Sequence, residues 1–172
     1  MEKENENRGK IIIYSGDGHG KTPAALGHAV VAAAEGQQVV IIQFLKGKGL
    51  GETEFVKRLE PEIKLFRFEK SDEDFMLLSE EKRTEEIMNI KNGMNYAKKV
   101  LSVHECGLLI LDEVLGLIDN QIITVEELES VLGSKSDDTT VIMTGITLND
   151  DVCMLADEVS RIDTVRFRKW ED

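Results

Sequence analysis

Six short apolar runs punctuate the chain, at residues 10–14, 39–45, 63–68, 108–111, 140–144 and 159–165. The second and fourth are apolar nearly throughout, as strands covered on both faces of a parallel sheet must be. Helical spacing fills the intervals. Residues 24–35 are alanine-rich and end at Gly36, a residue suited to the turn that closes a helix. Residues 79–102 carry Ile87, Ile90, Met94, Ala97 and Leu101 at three- and four-residue steps, which predicts a single apolar face. Residues 124–132 open with Thr124 and Glu127 at capping-box spacing and close at Gly133. This alternation predicts an α/β fold, a mostly parallel sheet with helices on both faces. Any ligand is then expected at the carboxyl ends of the strands.

The first apolar run leads directly into Ser15-Gly16-Asp17-Gly18-His19-Gly20-Lys21-Thr22, and an alanine-rich helical stretch follows. Strand, glycine-rich turn and helix in that order can hold a polyphosphate. The glycines let successive N–H groups point into one concavity, and the helix adds its positive end. Lys21 can reach the phosphates and the Thr22 hydroxyl can sit on magnesium. The first glycine is displaced from the usual G-x-x-x-x-G-K-[ST] spacing, since three residues separate Gly16 from Gly20. A glycine-rich turn without ligand is the alternative, and the strand–turn–helix context favours the phosphate. Pro23 fits the first turn of a helix starting at Lys21 or Thr22, where its missing N–H costs nothing. Lys21 is expected to face solvent until a ligand arrives. The nucleotide-binding candidates are Gly16, Asp17, Gly18, His19, Gly20, Lys21 and Thr22.

A length of 172 residues with 41% hydrophobic content suits one globular domain, residues 10–172, behind a polar lead at residues 1–9 that reads as disordered. The net charge of −12 repels phosphate backbones and anionic lipid, which argues against nucleic acid and membrane as partners. Cations that bind a nucleotide must therefore be local. Cys106 and Cys153 are too few and too isolated for a disulfide framework or a zinc knuckle and read as free thiols. Together with a lead lacking an apolar segment, they place the chain in the cytoplasm.

The run Leu108-Leu109-Ile110-Leu111 ends in Asp112-Glu113. A carboxylate at that strand end, beside a phosphate loop, is the place for a magnesium ligand. Read alone, the pair is a solvated acidic turn; beside the loop it is the second half of a nucleotide site. The metal candidates are Thr22, Asp112 and Glu113, and the catalytic candidates are Lys21 and Glu113.

Further peptides recur in order: Gln43-Phe44-Leu45-Lys46-Gly47, Gly51-Glu52, Leu111-Asp112-Glu113, Thr144-Gly145 and Leu155-Ala156-Asp157-Glu158-Val159. With the glycine loop, this set resembles the ATP:corrinoid adenosyltransferases, whose loop T-G-N-G-K-G-K-T-T has the same displaced first glycine. The resemblance runs from about Lys10 to about Ile162. It implies a single-domain P-loop NTPase-like (RecA-like) fold. The implied substrates are ATP with Mg2+ and a reduced corrinoid, cobalamin or a precursor. It also implies a flavoprotein or other reductant and a homodimer. In the implied reaction the Co(I) lone pair attacks the ribose C5′ of ATP. A cobalt–carbon bond forms, the C5′–O bond breaks and triphosphate leaves. No general base is needed, so catalysis is positioning and stabilisation of negative charge on the leaving group. The family is understood to hold ATP reversed relative to kinases, so the loop grips the leaving group.

This chain departs from the family at His19, which stands for a loop lysine, at Pro23 for a threonine, and at Ile146, where T-G-R becomes Thr144-Gly145-Ile146. Arg161, Arg166, Arg168 and Lys169 are local cations near the C-terminus that could replace the lost arginine. Phe68 and Phe75 are the corrinoid-pocket candidates; Phe66 and Phe68 also read as core on one strand face, and Phe75 sits in a polar stretch that core packing does not explain. His28 and His104 read as structural residues within helices. Two other readings stay open at this stage: a small P-loop nucleoside or metabolite kinase, and a non-catalytic ATP- or corrinoid-binding relative.

Overall fold

A computed structural model describes residues 8–17, 19–45 and 57–166. In chain order these residues form β1 (Ile11–Ser15), α1 (Lys21–Ala34), β2 (Val39–Gln43), β3 (Ile63–Arg67), α2 (Glu80–Ser102), β4 (Leu108–Asp112), α3 (Val114–Asp119), α4 (Val125–Leu132), β5 (Thr140–Gly145), α5 (Asp150–Cys153) and β6 (Glu158–Arg161). The strands make one sheet in the order β3-β2-β4-β5-β1-β6, and every pairing is parallel. This is the expected α/β architecture of a single-domain P-loop NTPase-like protein.

Alternation along each strand divides the core into two layers. Ile13, Val40, Ile42, Leu109, Leu111, Val141 and Met143 point to one face, where they meet Ile90, Met94 and Leu101 of α2, Leu115 and Leu117 of α3, and Leu128 of α4. Ile12, Val39, Ile41, Leu108, Ile110 and Ile142 point to the other, against Ala25, Ala29 and Ala32 of α1. The alanines give α1 a close seat on the sheet. β2 and β4 are buried along their whole length, which is why their sequences carry no polar alternation. Each large aliphatic side chain so buried contributes about 1.5–3 kcal/mol.

Local rules account for most boundaries. Ser79 caps α2 by accepting the Lys82 N–H, and Thr124 and Glu127 close a reciprocal capping box on α4. α1 begins at Lys21, with Pro23 in its first turn. Four points differ from the sequence reading. The sixth strand spans only Glu158–Arg161 and is exposed at all four residues, an edge strand with a single partner, β1. The short helices α3 and α5 carry too few residues to show a period. His104 lies beyond the end of α2, at φ 55°, whereas His28 sits within α1 with its Nε2 2.7 Å from the Tyr14 hydroxyl. Gly9, grouped by sequence with the polar lead, is buried and donates its N–H to the Asp137 carbonyl at 2.7 Å.

Candidate functional site

The carboxyl ends of β1, β2, β4 and β5 meet at one edge of the sheet, and the glycine loop lies there. Gly16 leaves β1 at φ 119°, and a Cβ on it would stand 2.4 Å from the Ile162 carbonyl oxygen, so only glycine lets the loop turn beside β6. Gly20, at φ 139°, caps α1, and its carbonyl accepts the Ala24 N–H at 2.8 Å. Asp17 and His19 are exposed, and the His19 N–H donates to the Thr164 hydroxyl at 3.0 Å. Gly18 lies outside the described residues.

Lys21 corrects one expectation. Its side chain is buried rather than solvent-facing, and Nζ donates to the Gly16 carbonyl at 2.6 Å. The ammonium thus bridges the two ends of the loop and holds it curved.

Next to it, Thr22 Oγ1 donates to Asp112 Oδ1 at 2.9 Å. Asp112 is 1% exposed and also accepts from Gln43 Nε2 at 3.0 Å and from Thr144 Oγ1 at 2.7 Å. Donors from α1, β2 and β5 therefore converge on one carboxylate at the end of β4. Satisfying a buried charge in this way is what makes its burial tolerable. Sequence reasoning singled out Asp112 and Thr22 but gave Gln43 and Thr144 no role. The signal was present, because a polar residue ends an apolar strand in each case, and Gln43 pairs in register with Asp112.

Glu113 parts from its neighbour. It adopts the left-handed conformation at φ 63°, caps α3, and gives its N–H to Thr144 Oγ1 at 2.8 Å. The turn sends the two carboxylates apart, and Glu113 lines a cavity of about 520 Å3 with Leu45, Glu73, Phe75, Met76 and Ile146. Phe75 stands in a single 3-10 turn, Phe75–Leu77, under the Arg83 guanidinium at 5.6 Å. Arg83 also donates to the Met76 carbonyl at 3.1 Å, and Glu86 accepts the Lys70 N–H with both oxygens at 3.1 Å. Two residues of α2, one turn apart, thus clamp the segment that forms the cavity wall. Burial pushes the Glu86 carboxyl above its ordinary range.

Phe68 is placed elsewhere and does not line this cavity. Its ring covers Gly93 of α2, where a Cβ would come within 2.6 Å, and lies 5.9 Å from Tyr96. Of the two aromatic candidates, Phe75 alone shares a wall with Glu113. Among the described residues no group of three or more His, Cys, Asp or Glu side chains could hold a metal ion. The Thr22–Asp112 pair offers hard oxygen donors that suit magnesium, which keeps several waters and needs only one or two protein ligands. Among those residues, no helix is long and apolar enough to cross a membrane.

Comparison with known proteins adds a family. The model of the ATP:corrinoid adenosyltransferases BtuR/CobO/CobP matches residues 7–169. The corrinoid adenosyltransferase CobA of Salmonella typhimurium is 32% identical over 162 residues, covering 94% of this chain and 80% of its own length. The corrinoid adenosyltransferase of Escherichia coli K12 is 30% identical over the same shares. That of Pseudomonas aeruginosa is 24% identical over 94% of this chain and 78% of its own.

Proposed function

This chain belongs to the ATP:corrinoid adenosyltransferase family, and on that footing we propose how its residues divide the work of moving the 5′-deoxyadenosyl group of ATP to the Co(I) of a reduced corrinoid. The glycine loop and the N-terminus of α1 bind the triphosphate, with Gly16, Gly18, Gly20 and Lys21 forming the cradle. The observation that carries this reading is the convergence of Thr22 and Asp112 beside that loop. Thr22 and Asp112 hold Mg2+, and the ion supplies charge neutralisation on the leaving triphosphate. Thr144 and Gln43 hold the Asp112 carboxylate in the orientation that faces Thr22. Lys21 is the fixed cation toward which negative charge develops as the C5′–O bond breaks.

The corrinoid occupies the cavity walled by Phe75 and Glu113. Its macrocycle is a large, largely apolar plate, and Phe75, Met76 and Leu45 offer apolar contact beside the loop. Glu113 acts there as a positioning group at the meeting point of the two substrates. The cytoplasm, a homodimeric state and a separate reductant for cobalt complete the proposal by family likeness.

Metal dependence tests the assignment. Asp112→Asn should lower turnover at least tenfold at ordinary magnesium and regain part of it as the metal concentration rises, because mass action refills a weakened ion site. Glu113→Gln should show a loss that magnesium does not restore and a raised KM for the corrinoid. Equal, metal-insensitive losses in both variants would remove Asp112 from the metal.

A further inference from the structure

A second cavity, of about 580 Å3, opens on the β6 side of the loop and is lined by Ser15, Gly16, Asp17, Ile146, Arg161 and Asp163 among others. Two observations mark it as built for a ligand. Ser15 is completely buried, yet its hydroxyl has no hydrogen-bond partner. A buried polar group left so is costly, and a bound acceptor or donor would satisfy it. Arg161 is the register partner of Ser15 across the β1–β6 pair and lines the same cavity. It pairs with Asp163 at 3.6 Å, with both side chains more than half exposed. An exposed pair of this kind is weak and easily exchanged for a better anion.

The chain needs such a cation. Its net charge is −12, and a triphosphate brings more negative charge than Lys21 alone offsets. In the proposed reaction the C5′ carbon must face the Phe75 cavity, so the polyphosphate runs along the loop away from it and its far end reaches the β6 side. We infer that Ser15 Oγ and Arg161 form a subsite for the terminal phosphate, the one most distant from the sugar. A guanidinium suits phosphate oxygens because its paired N–H groups donate in parallel. Asp163 is the internal counter-ion that Arg161 leaves when the phosphate arrives. Asp17 and Asp163 oppose the incoming anion, so neutralising Asp163 strengthens the subsite while neutralising Arg161 weakens it. The choice of phosphate over nucleoside rests on the adenosyl-transfer reading, which fixes the direction of the polyphosphate.

Equilibrium binding of inorganic tripolyphosphate, ATP and ADP, each with magnesium and without any corrinoid, tests the subsite on the full chain. Both side chains are exposed, so the variants should melt with the parent protein. Arg161→Ala should weaken tripolyphosphate and ATP about tenfold, the size of a lost charge-assisted contact, and ADP less than about twofold. Arg161→Lys should recover part of the loss, and Asp163→Asn should tighten tripolyphosphate. Equal losses for ATP and ADP, a loss for ATP with tripolyphosphate unchanged, or no loss at all would overturn the subsite, as would failure of the parent protein to bind tripolyphosphate. These readings do not involve cobalt. A protein that binds as expected but makes no adenosylcorrinoid would defeat the transfer reading and leave the terminal-phosphate contact measured.

Discussion

Lys21 shows how a single side chain can both shape a loop and bring it charge. Bonded to the Gly16 carbonyl, its ammonium holds the loop in the curve that a polyphosphate needs. The loop is therefore partly organised before the ligand arrives, which lowers the ordering cost of binding. Lys21→Ala should abolish measurable MgATP binding in calorimetry. Because a buried hydrogen bond is also lost, stability should fall by about 1 kcal/mol, lowering Tm by about 2–4 °C. Unchanged ATP affinity would defeat the loop assignment. An unchanged Tm would show that the contact with Gly16 does not stabilise the loop. The approach of Thr22 to Asp112 beside the glycine loop is what the sequence predicts, because strand ends and loop context constrain residue type. The burial of Lys21 was not legible, since it depends on a carbonyl that only the folded loop presents.

At the level of elements, local chemistry and position in the sheet share control. The capping box of α4 is complete, with Thr124 accepting the Glu127 N–H and Glu127 accepting the Thr124 N–H at 2.9 Å. Thr124→Ala should cost about 1 kcal/mol in denaturant unfolding. The Thr124 N–H is the main reason the Glu127 carboxyl is held below its ordinary value of 4.5. A depressed folded value means the unfolded state takes up protons first. The contribution is thus full above pH 4.5 and is lost as pH falls through the folded value. The difference between the parent protein and Glu127→Gln should shrink over that acid range; a constant difference across it would separate the box from stability. The interior strands and long helices were readable because period and burial agree in them. The sixth strand is shorter than its sequence predicts because the run of residues 159–165 is apolar only at every third position and lies at an exposed edge. Helix α3 has no periodic signature in the sequence, yet Gly145 marks where it packs. A Cβ there would stand 2.3 Å from Leu115 Cβ, so that glycine exists to let α3 close onto β5.

For the molecule as a whole, the parallel sheet gathers the loop, the Thr22–Asp112 pair and the cavities at one edge, with Ile146 in the lining of both cavities. In the proposed reading a polyphosphate lies between the Phe75 cavity on the β2–β4 side and a cation on the β6 side. The central claim is that the bond broken in ATP is C5′–O, with all three phosphates leaving together. The most direct measurement is an anaerobic reaction of the full chain with MgATP and chemically reduced cobalamin, followed by analysis of both products. The account predicts adenosylcobalamin, seen by its light-sensitive cobalt–carbon bond, and inorganic triphosphate in equal amounts. ADP with a phosphorylated acceptor, or ATP recovered unchanged beside unmodified cobalamin, would contradict it.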